Sequence, residues 1–224
     1  MKWITQAKGI LLTPKAAWRA IDQDDTDTAR LFTRYAMLVA AISPILVIIG
    51  DLFPLTFVAV LYIQGGYKGY GMTIARELLS VIAPAAMMYV QSLAIAFVLG
   101  LVINTLATTF GSRPNRMKSL KVAVYSMTAT WVIGAIAIIV HSVAVLAARD
   151  YYGLAQWIDA ASWGIVIISL IYPIYLIFTG LVALMNAPEN TAVSYTAVVV
   201  LISIVLQIVL AGFVGLVNLA IGML

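Results

Sequence analysis

Cysteine is absent from the 224-residue chain, histidine occurs once, and charged residues make up only 10% of it. The first absence excludes disulfides, thiolate metal sites and cysteine nucleophiles. A single histidine, His141, excludes the paired-histidine zinc motif of metalloproteases. The shortage of charge excludes more. Soluble domains are about 25% charged and about 45–50% apolar, whereas this chain is 63% hydrophobic with a mean hydropathy of +1.05. It reads as a polytopic membrane protein. A phosphate-binding Walker loop is also missing, and of the aspartates only Asp51 is read as lying near a span. An intramembrane aspartyl protease needs two. Gly111-Ser112 sits in a basic loop, on the opposite side of the membrane from His141, so no serine–histidine pair forms. We therefore assign no catalytic, cofactor-binding or metal-binding residues, and read the chain as non-enzymatic.

What the chain does contain is a set of long apolar runs, each near the roughly 20 residues that cross a hydrocarbon core of about 30 Å. The first span runs from Arg34-Tyr35 to the Asp51–Pro54 region. The residues after Pro54 are too few to cross again, so residues 54–64 read as an interfacial or re-entrant segment reaching the "QGGYKGYG" turn. The second span is Ile82–Thr108, the third Lys121–Ala147, the fourth Ala160–Met185 with a kink expected at Pro173, and the fifth Val193–Gly222. "MNAPENTA" separates the last two, with Pro188 as a stop signal. The fold expected is all-α: a bundle of five transmembrane helices in one domain (31–224), preceded by an arm (1–30).

The arm is amphipathic and too short to span. Trp3, Ile4, Ala7, Ile10 and Leu11 recur at helical spacing with Lys8 at the edge. "TPKAAWRAI" then restarts a helix, with Thr13 suited to the N-cap and Pro14 to the first helical position. Trp3, Lys8, Lys15, Trp18 and Arg19 suit a helix lying flat at headgroup level, the cations extended towards water. Packing of the arm on the end of the bundle is an equal and compatible alternative. The acidic stretch "DQDDTD" fails as a calcium loop. Counting from Asp22, the sixth position is Asp27 instead of glycine and the twelfth is Thr33 instead of a carboxylate. Asp27 is expected to cap the helix that begins at Thr28.

Cations set the orientation. The arm and its junction with the first span carry Lys2, Lys8, Lys15, Arg19, Arg30 and Arg34, and the loop between spans two and three carries Arg113, Arg116, Lys118 and Lys121. The other loops hold only Lys68, Arg76 and Arg149. The positive-inside rule places the arm and the 111–121 loop in the cytoplasm and the C-terminus outside. Arg113, Arg116, Lys118 and Lys121 are the candidate topology anchor and anionic-lipid site. The net charge of +4 points to lipid headgroups as partners and not to nucleic acid, because the cations border apolar segments. Tyr151, Tyr152, Trp157 and Trp163 suit an outer aromatic belt. Asp51, Gln91 and His141 each lie about 24–30 Å along their helices from the basic side, and form a candidate outer-leaflet polar cluster. Asn104 and Gln207 lie deeper and suit hydrogen bonds between helices. The hydroxyls of "YSMTAT" can return to their own helix carbonyls.

Three blocks, "GILLTPKAAWRAID", "LATTFGSRPNRMKSLKVAVYSMTATWVIG" and "YPIYLIFTGLVALMNAPENTAVSYTAVVV", resemble landmark blocks of the bacterial branch of the Yip1 family, in the family's order. With the connecting spans the resemblance covers nearly the whole chain. It implies five transmembrane helices and a cytoplasmic N-terminus, and transfers no catalytic residues. Two departures stand out: Ser112 replaces the second of the family's paired glycines, and Ala129 occupies a place where proline is common. The long cytosolic N-terminal region of the eukaryotic branch, which acts in vesicle trafficking through small GTPases, has no counterpart here, so GTPase binding is not carried over.

The function expected is a membrane scaffold or adaptor, associating with itself or with other membrane proteins, in membrane organisation or trafficking-like processes. Gly100, Gly134, Gly180, Gly212 and Gly215 would permit close helix approach. The alternative is a transporter or channel for a lipid, ion or small solute, using Asp51, Gln91 and His141.

Overall fold

The structure is a computed structural model that describes residues 2–50, 52, 70–148 and 151–222. Asp51 and the expected re-entrant segment at 54–64 lie outside them. Every regular element among the described residues is helical. Two short helices form the arm, α1 (Lys2–Leu12) and α2 (Pro14–Gln23). Five longer helices follow: α3 (Thr28–Gly50), α4 (Tyr70–Leu106), α5 (Arg116–Ala147), α6 (Tyr152–Leu184) and α7 (Glu189–Gly222). All five contain a stretch long and apolar enough to cross a membrane.

The boundaries follow local chemistry. Pro14 opens α2 at a position whose N–H has no helical partner in any case. Thr13 does not cap it: its hydroxyl donates backwards to the Gly9 carbonyl at 3.2 Å. Asp27 caps α3, its carboxylate accepting from the Arg30 amide at 2.7 Å. Between α4 and α5 the chain turns at Gly111, whose φ of +73° favours glycine. Ser112 has no positive φ, so a second glycine is not needed for this turn. Asn115 then caps α5 by accepting from the Met117 and Lys118 amides, each at 3.1 Å. α5 runs unbroken through Ala129, and α6 stays helical through Pro173. α6 ends at Leu184, and Asn186 takes a left-handed φ of +50° just before Pro188.

α5 is the central helix. It packs most extensively on α6, and also on α4, α3 and α1. Gly100 makes the α4–α5 contact possible, since a Cβ there would sit 2.6 Å from the Leu120 side chain and 3.0 Å from its Cα. α7 packs against α4 and α6 mainly through its first half, where Ala192, Tyr195 and Val199 are buried. The Tyr195 hydroxyl donates to the Ile103 carbonyl, and its ring stacks on Phe110 at 4.8 Å. Tyr151, Trp157 and Trp163 are exposed at the end of the bundle away from the arm.

Candidate functional site: the arm-end junction

The arm folds back onto the bundle and shares its core. Ile10, Trp18 and Ile21 are 0%, 0% and 3% exposed and join one hydrophobic cluster with α3, α4, α5, α6 and α7. Trp18 is therefore not a headgroup-level tryptophan, and the flat-lying arrangement expected for it is corrected. Its ring is received beside Gly180, where a Cβ would come within 2.9 Å of Trp18. Its indole N–H donates to Thr179 at 3.0 Å, which satisfies the polar tip of a buried ring. The Tyr172 hydroxyl ties the end of α1 down by donating to the Leu11 carbonyl at 2.8 Å. Trp3 is half-buried, while Lys8, Lys15 and Arg19 stay exposed on the outer surface of the arm.

An aromatic seam continues inward. Trp18 meets Tyr125 edge-to-face at 6.3 Å, Tyr125 meets Tyr35 at 4.4 Å, and the Tyr35 and Thr128 hydroxyls are hydrogen-bonded at 2.8 Å. Tyr35 belongs to a turn, Phe32–Ala36, wound as π-helix; such turns are frequent at functional sites. The hydroxyls of "YSMTAT" do more than satisfy their own helix. Thr130 crosses to the Ser169 carbonyl at 3.2 Å, while the buried Ser126 hydroxyl has no hydrogen-bond partner among the described residues.

The four cations at residues 113–121 divide into two pairs. Arg113 and Arg116 are exposed. Lys118 is bridged to Asp22 at 2.7 Å. Lys121 is only 5% exposed, and its ammonium donates to the Ile21 carbonyl at 2.9 Å and the Asp24 carbonyl at 2.5 Å. Each of those carbonyls also accepts a backbone N–H, from Asp24 at 3.3 Å and from Thr26 at 2.9 Å, so the ammonium adds a charge-assisted bond to each at the end of α2. As a membrane-surface anchor Lys121 is thus corrected: it is an internal cap that holds the arm. Its position after Leu120 in "SLKVAV", already in the apolar run, was the available signal.

A cleft of about 450 Å³ opens beside this junction. Trp3 and Gln6 of α1, Asp24, Asp25 and Thr26 of the linker, Arg30, Arg34 and Leu38 of α3, and Tyr125 of α5 help to line it. Asp24 is engaged, its carboxylate accepting from Thr26 at 2.6 Å and from Gln6 at 3.4 Å. Arg30 stands 3.5 Å from Asp27, both well exposed.

At the opposite end the expected polar cluster has a different membership. His141 Nδ1 is hydrogen-bonded to Asp159 Oδ1 of α6 at 2.8 Å. Among the described residues no hydrogen bond joins Gln91 to His141, and Asp51 is not described. Asp159 was passed over because it precedes the apolar run of α6; only the pairing of α5 with α6 sets it beside His141. A second cavity of about 400 Å³ lies here, lined by His141, Ser142, Ser162 and Trp163 with Gly50 and Gly134.

These features define a helical polytopic membrane protein whose N-terminal arm is docked on one end of a five-helix bundle. The chain belongs to the Yip1 family: the Yip1 domain matches residues 8–211, from the middle of α1 to the second half of α7. No curated protein and no solved structure matches it.

Proposed function

We propose that the protein is a non-enzymatic membrane scaffold that associates with further copies of itself through α7, in the organisation of a membrane. The observation that carries this reading is the second half of α7. Only 6% of its membrane-crossing window is buried, against 28–33% in the other four helices. Gln207 is exposed to the surroundings within that window, and Ser203, Gln207, Ala211 and Gly215 follow one another at intervals of four residues, on one face. A Cβ added at Gly215 meets nothing among the described residues. Small residues permit close approach of a second helix in a bilayer, and an amide in hydrocarbon gains from a partner. A glutamine amide is both donor and acceptor, so two copies can satisfy each other. The arm would lie on the cytoplasmic side and the C-terminus outside, following the cation bias.

Subunit counting in nanodiscs, or energy transfer between labelled copies in liposomes on dilution with lipid, tests the proposal. Wild type should associate, and Gln207→Leu and Gly215→Leu should each weaken association. A protein that stays monomeric at every dilution sinks it.

The transport reading has one observation in its favour, the cavity at His141. Against it, Lys121–Ser126, Thr128 and Ala129 are all buried, so the arm-end half of α5 is closed by packing. Flux into liposomes that responds to His141→Ala or Asp51→Asn would favour transport; flux indifferent to both would remove it.

A further inference from the structure

The arm-end cleft supports an inference independent of how α7 associates. Its walls carry unlike charges, Arg30 and Arg34 on α3 and Asp25 in the α2–α3 linker. Among the described residues neither the Arg34 nor the Asp25 side chain forms an ion pair or a hydrogen bond, although both line the same 450 Å³ space. Opposite charges that share a cavity without meeting leave room for a zwitterion between them. The volume falls within the roughly 300–1,000 Å³ of ligand sites. The deeper lining is apolar, with Leu31, Tyr35 and Tyr125. Leu38 lies on the same face of α3 as Arg34, about 6 Å further along the span, and is 45% exposed. The cleft therefore runs from a charged rim onto exposed apolar surface of the first span.

We propose that this cleft binds a phospholipid whose headgroup carries a primary ammonium, as in phosphatidylethanolamine. The phosphate is held by Arg34 with Arg30, the ammonium by Asp25, and the acyl chains leave past Leu38. Guanidinium groups match phosphate oxygens in a bidentate fork. A primary ammonium offers three N–H donors to the carboxylate; a trimethylated headgroup offers none. An anionic glycerol headgroup satisfies the arginines but brings no cation to Asp25. Asp24, already bonded by Thr26 and Gln6, shapes the wall instead of binding.

The test is native mass spectrometry of the full chain released from nanodiscs of equimolar phosphatidylethanolamine, phosphatidylcholine and phosphatidylglycerol. Wild type should retain phosphatidylethanolamine about tenfold over the other two, as expected for one charge-assisted contact. Asp25→Asn should erase the preference over phosphatidylglycerol while phosphate-dependent retention persists. Arg34→Gln should lower retention of all three, and Arg34→Lys should restore part of it. Arg19→Gln, an exposed cation outside the cleft lining, should change nothing. Equal retention of the three lipids, or a preference that survives both Asp25→Asn and Arg34→Gln, overturns the proposal. Displacement by soluble phosphoethanolamine at matched concentration would show that the free headgroup is the ligand, and would overturn the lipid assignment. Both substituted side chains are exposed, and an unchanged thermal unfolding midpoint confirms that each variant is folded.

Discussion

Lys121 and Gly180 show how much a single residue decides here. The ammonium of Lys121 reaches across from α5 to two carbonyls at the end of α2, 2.9 and 2.5 Å away. Lys121→Met keeps the volume and the apolar stem but removes two charge-assisted hydrogen bonds that tie the arm to α5, a loss of about 1–3 kcal/mol. Faster proteolysis in the 24–27 linker and a lower unfolding midpoint are the expected readouts. Gly180→Leu acts on the other side of the same junction. It would press into Trp18 and Val122, costing about 1–3 kcal/mol by overpacking, and should make the indole of Trp18 accessible to a collisional quencher. Had the arm been merely lying on the bilayer, neither substitution would touch it. The pair at the far end is of another kind: His141 and Asp159 are 59% and 41% exposed. Exposed ion pairs are worth less than about 1 kcal/mol, so Asp159→Asn should leave thermal unfolding nearly unchanged.

Among the elements, α5 and α7 have opposite roles although both are long and apolar. α5 is surrounded on its arm-end half by α1, α3, α4 and α6, and its small residue Ala129 and its hydroxyls Ser126 and Thr128 are buried. α7 is anchored by Tyr195 and Thr191, whose hydroxyls reach the Ile103 and Phe110 carbonyls, and then leaves the bundle. Composition could not separate them, because lipid and protein neighbours are equally apolar. The five glycines named from sequence divide in the same way. Gly100 and Gly180 are close-approach points, whereas Gly134, Gly212 and Gly215 have nothing among the described residues near a would-be Cβ. The arm elements α1 and α2 are amphipathic in either setting, and their pattern alone fits a membrane surface or a helix bundle equally well. An arm deletion removing residues 2–26 should therefore expose Tyr125 and Leu31 and destabilise the bundle, instead of leaving it intact as loss of a peripheral helix would. The unfolding midpoint of the truncated chain decides between these.

For the whole molecule, the arm, the 111–115 turn and the 185–188 turn gather at one end, with Thr191 bonded to the Phe110 carbonyl at 2.8 Å and Lys121 to the end of α2. That end is built from polar contacts around a buried aromatic seam, with the cleft beside it. The other end carries the exposed tryptophans and the His141 cavity. An asymmetric molecule of this form suits a role in which one end is fixed and a lateral helix is left for a neighbour. On this view the self-association of wild type and its loss in Gln207→Leu should be independent of the cleft variants Asp25→Asn and Arg34→Gln, a comparison that lipid-dilution energy transfer makes directly.

Sequence by itself determined the class, the five spans to within several residues at their ends, the Asp27 cap and the breaks at Pro14 and Pro188. Each is a local matter, since span length, hydropathy and the missing hydrogen bonds of helix ends are written in consecutive residues. Tertiary structure alone decided that Trp18 is core, that Lys121 is an internal cap, that His141 answers to Asp159, and that Arg34 and Asp25 share a cleft. In each case the partner is 9 to 161 residues away along the chain. An apolar pattern shows that a face is to be hidden from water, but whether a helix or a lipid hides it depends on which helices pack together.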